Sequence, residues 1–263
     1  MKVLIIGYGW VGRATHKLFP NAYVVDPGLS LYNAPNTNFS YEHNERTASC
    51  DIAFIAVPSP YDENIGALDC SVVEEAIAAC PIDLIVLRSA TNPGFADEMA
   101  AKYGKRIVVQ PEYLGESPSH PLLSMDSRQF MILGGSPKDR QKVIECYTQV
   151  YNANIKIRQL SAYEAEIVKL TENRAVFYKV MQAQELYDAC EAHGVDYYTI
   201  RDAVYGDDPR FNLWWTFVYP DNRGANSKCI PKDVYAWCAW AESSGFYPQA
   251  TLGLLKYNDE LIK

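Results

Sequence analysis

No apolar run in this 263-residue sequence reaches the ~18 residues needed to cross a bilayer, so no membrane-spanning helix is expected. The N-terminus lacks the apolar core and small-residue cleavage site of a secretory signal, because Met1-Lys2 passes straight into Val3-Leu4-Ile5-Ile6. Paired cysteine spacings are also missing. The seven cysteines contain no C-x-x-C, and an odd set of this kind suits reduced intracellular thiols better than a disulfide framework. No metal site is expected. Positive charge is in deficit: 24 Lys and Arg against 32 Asp and Glu give a net charge of −8. That balance argues against a broad nucleic-acid or anionic-membrane surface, though it leaves room for a local basic pocket facing a phosphate. Internal repeats and low-complexity tracts are absent. What remains is a soluble globular protein, expected in the cytoplasm, long enough for two domains.

From residue 1 to about 160, short β-branched runs alternate with amphipathic stretches. The runs fall at 3–6, 22–25, 52–57, 84–87, 107–109 and 131–133, with a further candidate at 155–157. Helical periodicity lies between them at 11–19, 71–80, 95–103 and 139–151. This alternation predicts an α/β fold, a Rossmann-type doubly wound and mainly parallel sheet covered on both faces. Residues 161–193 contain neither Gly nor Pro, carry apolar residues at helical spacing, and are followed by Gly194 where a cap is wanted. One long helix is expected there, a connecting or dimer-forming spine. Further helices are expected at 195–205, 231–244 and 248–262. The predicted organisation is a Rossmann domain over 1–160 and an all-helical domain over 161–263, built on the long helix. The aromatic stretch at 211–219 fits an interface or a substrate wall, but core packing is the expectation.

Gly7-Tyr8-Gly9-Trp10-Val11-Gly12 is a G-x-G-x-x-G placed directly after a strand and opening a helix, and Asp26 closes the second strand nineteen residues beyond Gly7. The glycines permit a tight turn, close approach to a pyrophosphate and close helix packing, while the carboxylate meets a ribose 2′-OH. Asp26 repels a 2′-phosphate, and Pro27-Gly28 offers no arginine to receive one, so NAD is preferred over NADP. Three later strands end in proline-bounded polar loops: Val57-Pro58-Ser59-Pro60, Arg88-Ser89 through Pro93-Gly94, and Pro111-Glu112-Tyr113-Leu114-Gly115-Glu116. Carboxyl ends of parallel strands form the ligand crevice. Glu112 and Glu116 are therefore either site acids or solvated loop acids. Lys169 and Asn173, four apart on one helix face, are a partly buried pair or a surface pair. In Lys228-Cys229-Ile230-Pro231-Lys232-Asp233, the proline suits the first position of a helix. Cys229 then lies just outside a helix N-terminus, where the dipole favours a thiolate and Lys232 and Asp233 share its side. It reads either as an activated nucleophile or as a small buried thiol.

Taken in order, these segments resemble the UDP-glucose/GDP-mannose dehydrogenase family. The resemblance runs from the glycine loop through Val57-Pro58-Ser59-Pro60 with Gly66 and Asp69, Ser89 to Pro93-Gly94, and Pro111-Glu112-Tyr113-Leu114-x-Glu116. It continues through Glu164-Ala165-Glu166-Ile167-Val168-Lys169 with Asn173 and Gly194-Val195-Asp196 to Cys229-Ile230-Pro231-Lys232-Asp233. Family members oxidise the C6 alcohol of a nucleotide sugar to a carboxylate, with two NAD reduced per turnover. The resemblance implies that Cys229 attacks the intermediate aldehyde to give a thiohemiacetal and then a thioester. It implies that Lys169 and Asn173 stabilise oxyanions, and that Glu116 is the general base for hydrolysis with Asp233 in support. Cofactor contacts are implied at Gly7, Gly9, Trp10, Val11, Gly12, Asp26, Val57, Pro58, Ser89, Glu112 and Lys232. Substrate contacts are implied at Glu112, Tyr113, Leu114, Lys169, Arg210 and Gly224. Arg210 matches an arginine that the family lends to the neighbouring subunit, which implies a homodimer formed through 161–193.

Three departures accompany the resemblance. The family's second Rossmann-like domain would begin about where this sequence reaches Tyr257-Asn258-Asp259-Glu260, so a shortened form is expected. In the loop before the cysteine, Asn222, Asn226, Ser227 and Lys228 stand where the family mostly has glycine or a small residue, and only Gly224 remains. The family's Ser-Thr reads Ser89-Ala90, with Thr91 one position late. The substrate is accordingly a nucleotide sugar held by fewer contacts, or a smaller sugar derivative. Two other readings stay open: a two-electron hydroxyacid-type dehydrogenase with Cys229 incidental, and a non-catalytic NAD-binding dimer or half of a split enzyme. Retention of Lys169, Asn173, Cys229, Lys232 and Asp233 together argues against the last.

Overall fold

The computed structural model describes residues 1–263 apart from 30–37, 41, 116–128 and 153. The chain forms two compact units, Met1–Lys169 and Leu170–Lys263. In the first, the order is β1 (Val3–Ile6), α1 (Trp10–Leu18), β2 (Tyr23–Val25), β3 (Phe39–Ser40), α2 (Glu45–Ala48) and β4 (Ile52–Ile55). A hairpin of β5 (Tyr61–Asp62) and β6 (Ala67–Leu68) precedes α3 (Ser71–Ala79), β7 (Leu84–Leu87), α4 (Phe95–Tyr103) and β8 (Arg106–Val109). Then come β9 (Phe130–Gly134), α5 (Pro137–Tyr147), β10 (Lys156–Leu160) and the start of α6 (Ala162–His193). The second unit holds the rest of α6, with α7 (Tyr197–Tyr205), α8 (Ile230–Ser243) and α9 (Gln249–Leu261).

The eight-stranded sheet runs β10-β9-β8-β7-β4-β1-β2-β3. Every neighbouring pair is parallel except β8 with β9. Central strands carry helices on both faces, so both sets of alternating side chains are buried and the sequence reads as unbroken aliphatic runs. Val3, Leu4, Ile5 and Ile6 are all 6% exposed or less. At ~1.5–3 kcal/mol for each buried aliphatic side chain, β1 alone contributes roughly 6–12 kcal/mol of gross burial before ordering entropy is subtracted. The edge strand β10, Lys-Ile-Arg-Gln-Leu, has no fully buried residue and correspondingly mixes polar with apolar side chains. Strand order reverses on either side of β1, which places the topological switch point between β1 and β4.

The expected fold class is what forms: a Rossmann-type, mainly parallel sheet and a long helix of 32 residues. Gly194 ends that helix at φ +67°, and Val195 N–H returns to the Cys190 carbonyl, as expected of a glycine cap. The short elements β3, α2 and the β5–β6 hairpin were not legible as periodicity, because two to four residues complete no period. The aromatic stretch departs from its expectation. Phe211, Trp214, Phe217 and Tyr219 are each 45–54% exposed, whereas the small neighbours Thr216 and Val218 are fully buried. Tyr197 and Tyr198 of α7 donate their hydroxyls to the Thr216 and Val218 carbonyls, which turns the alternate aromatic rings outward.

Candidate active site

The glycine loop follows β1 at the switch point, and its glycines meet three different surroundings. Gly7 adopts φ +92°, and a Cβ there would lie 2.6 Å from the Ala56 carbonyl oxygen beyond β4. A Cβ on Gly12 would run into the Gly7 carbonyl, so α1 packs on the loop only without a side chain. At Gly9 a Cβ would meet nothing within 4 Å. The N-cap of α1 is therefore open to an incoming group, and the residues fit a dinucleotide pyrophosphate at this place. Trp10, 41% exposed, and the half-buried Val11 follow in the first turn. Asp26 accepts N–H groups from Tyr8 (2.5 Å) and Gly28 (2.6 Å), one on each carboxylate oxygen. Those two bonds fix the plane of the carboxylate while each oxygen keeps a second lone pair for a ribose hydroxyl.

At the neighbouring strand ends, Ser89 donates its hydroxyl to the Val57 carbonyl (2.7 Å), linking the loops after β7 and β4. Pro58 is exposed beside it. Glu112 is not a solvated loop acid. It is 8% exposed, pairs with the buried guanidinium of Arg88, and accepts N–H groups from Tyr113 (2.7 Å) and Leu114 (2.8 Å). Tyr113 is buried and Leu114 half-buried, and the Lys169 ammonium lies 5.4 Å from the Tyr113 ring centroid. Glu116 lies outside the described residues. Thr91, one position late in sequence, is buried with its hydroxyl committed to Glu166 (2.8 Å). Glu166 also accepts N–H groups from Gly94 (2.7 Å) and Ala96 (2.9 Å) in the first turn of α4. Burial pushes its carboxyl up to about 7 despite those three donors.

In the helical unit, Cys229 is exposed and forms the N-cap of α8, with Pro231 second in the helix rather than first. The shift follows from Ser227, whose hydroxyl accepts the Ile230 N–H (3.2 Å) and starts the helix one residue early. Asp233, one turn on and 1% exposed, accepts from Asn173 of α6 (2.5 Å) and from Lys232 (2.6 Å). Asn173 is itself buried, so it is not the surface residue that sequence spacing left open. Arg210 is exposed and held in a fork by Asp208 (2.6 Å). Gly224 adopts φ +75° against α9. Sequence reasoning missed Arg88, Glu166 and Asn258 as partners of these groups. Each is one polar residue in an otherwise ordinary strand end or helix, and only the burial of its head group sets it apart.

The sheet order and the glycine loop define a Rossmann-type α/β protein whose chain continues into a helical unit on one long helix. Residues 163–260 match the UDP-glucose/GDP-mannose dehydrogenase family, central domain. It is 28% identical over 225 residues to the UDP-glucose 6-dehydrogenase of Streptococcus pneumoniae, covering 81% of this chain and 54% of that protein. To the UDP-glucose 6-dehydrogenase of Pseudomonas aeruginosa it is 25% identical over 293 residues, covering 95% of this chain and 63% of that one. The chain thus spans between half and two thirds of the length of these relatives. A solved UDP-glucose dehydrogenase from Pyrobaculum islandicum shares the fold, with a TM-score of 0.83 at 22% identity over 98% of this chain and 68% of the other. Among the described residues, no helix is long and apolar enough to cross a membrane.

Proposed function

We propose that the chain carries out NAD-dependent oxidation of a sugar primary alcohol to the carboxylate, at the C6 position of a nucleotide sugar or of a smaller sugar derivative. The observation that carries this reading is the thiol at the N-cap of α8, one turn from a buried carboxylate that holds Asn173 and Lys232. The dinucleotide would be held by the loop at Gly7, Gly9, Trp10, Val11 and Gly12, by Asp26, and by Val57, Pro58, Ser89, Glu112 and Lys232. When bound, it supplies the acceptor for the hydride removed from the sugar carbon. Cys229 sulfur adds to the C6 aldehyde, forming a C–S bond while the carbonyl oxygen becomes an alkoxide and takes a proton. Loss of a second hydride from that carbon to a second NAD, with the hydroxyl proton released, leaves a thioester, and water attacks the thioester carbon to release the carboxylic acid and return the thiol. Lys169 and Asn173 place an ammonium and an amide N–H where negative charge develops on oxygen. Asp233 contributes by accepting one N–H of the Asn173 amide and so fixing that side chain, and Glu116 is the base for the hydrolytic water. Arg210 would serve the substrate site of the partner in a homodimer formed through 161–193.

The test is the count of NADH formed per substrate consumed, with and without Cys229→Ala. Two NADH in the wild type, with acid product lost in the variant, support the mechanism. One NADH and an indifferent variant point to a two-electron oxidation in which the thiol plays no part. NAD binding without turnover of any nucleotide sugar overturns the assignment to an enzyme.

A further inference from the structure

The segment that carries Cys229 is fixed at two points, and one of them has no part in the roles given above. Asn258 of α9, 2% exposed, accepts the Ala225 N–H at Oδ1 (2.7 Å) and donates from Nδ2 to the Ala225 carbonyl (3.2 Å). A side-chain amide matched to both polar groups of one residue leaves neither of them unsatisfied as the loop is buried. The approach is close: at Gly224 a Cβ would lie 2.8 Å from Asn258 Oδ1 and 2.8 Å from Ile262 Cγ2. The Ala225 methyl is 5% exposed in a cluster with Phe177, Met181, Val234, Cys238 and Leu255. At the other end the chain enters α8, where the Asp233 N–H returns to the Cys229 carbonyl (3.2 Å) and the Asp233 carboxylate is held by Asn173. Between these points Asn226, Ser227, Lys228 and Cys229 are all exposed. The nucleophile therefore rides on a four-residue arch whose ends are both anchored in the core of the helical unit.

We infer that Asn258 is a positioning residue for Cys229, fixing the upstream end of this arch and with it the place of the thiol at the start of α8. The inference rests on the reading of Cys229 as the nucleophile. It also accounts for Gly224 as the surviving glycine of the loop, since no other residue fits against the Asn258 amide. Aspartate at 258 keeps the acceptor for the Ala225 N–H and loses the donor, whereas alanine loses both.

Hydrogen exchange read by mass spectrometry on the whole chain tests the lock without needing a substrate. In Asn258→Ala, amides in 222–229 exchange about tenfold faster or more, while 176–190 of α6 keeps its wild-type rates. Asn258→Asp falls between the two proteins. In turnover assays, Asn258→Ala lowers kcat and leaves KM for NAD unchanged, and Asn258→Asp recovers part of the loss. Unchanged exchange at 222–229 in a folded Asn258→Ala protein overturns the inference, as does equal loosening of 176–190 or a wild-type kcat. If the arch loosens as expected but the wild type turns over no sugar, the proposed reaction fails while the lock itself stands.

Discussion

Replacing Glu166 by glutamine should change how stability depends on pH, with a sign that burial determines. The wild-type carboxyl is 2% exposed and titrates at about 7 in the folded chain against an ordinary 4.5. Burial is the main cause; the Ala96, Gly94 and Thr91 donors pull the value down without cancelling it, and the Asp97 charge adds a further push upward. Below pH 4.5 the group is protonated in both states, and the stability associated with that proton is fully present. As pH rises from there through 7, the folded state must either keep a proton the unfolded state has released or bury a charge, so stability is lost. Over the interval from pH 5 to pH 8 the loss comes to roughly 2–3 kcal/mol. Glutamine has no charge to bury and is insensitive to this interval, but its Nε2 faces an N–H donor where an oxygen stood, at a pH-independent cost of about 1–3 kcal/mol. Urea unfolding of both proteins at pH 5, 6.5 and 8 measures the difference. The wild type should be clearly the more stable at pH 5, and the gap should close or reverse by pH 8. A gap that stays constant, or one that widens with pH, would show that the three donors outweigh burial and that the reasoning is wrong.

The glycine loop makes a paired prediction. Gly9→Ala, with nothing within 4 Å of the added methyl, should melt like the wild type yet bind NAD at least about tenfold more weakly in a fluorescence titration. Gly12→Ala should instead lower the melting temperature, since the methyl collides with the Gly7 carbonyl and overpacking costs ~1–3 kcal/mol or more. Equal melting of the two variants would contradict both assignments. Arg88→Met strands the Glu112 carboxylate in a buried site, and loss of one partner from such a pair costs about 3–5 kcal/mol. Denaturant unfolding should show that loss, and Arg88→Met combined with Glu112→Gln should restore part of it.

The sheet was legible because strands buried on both faces, such as 3–6 and 84–87, must be apolar without interruption, and a pattern confined to neighbouring residues is visible in the chain itself. The glycine loop was legible for the same reason: its turn, its opening and its helix contact all fall within six residues. The aromatic stretch was not, since the decision to bury Thr216 and Val218 rather than the rings next to them belongs to α7, whose Tyr197 and Tyr198 hold the two carbonyls. Among the site candidates, local geometry alone put Cys229 at a helix start and left its role open, and that helix start differs from expectation by the one residue that the Ser227 hydroxyl sets.

Alone, then, the sequence determined a Rossmann-type sheet with a glycine loop and an acid at the right distance, one long helix, and a thiol at the start of a later helix. Those features depend on local periodicity, backbone freedom and spacing along the chain. The tertiary structure alone decided what each polar group does. Thr91 meets Glu166 across 75 residues, and Asn173 meets Asp233 across 60. No local rule pairs them. A carboxylate at a strand end or an amide in a helix has the same sequence signature whether it faces water or a buried partner, and only the fold determines which group shares its low-dielectric surroundings.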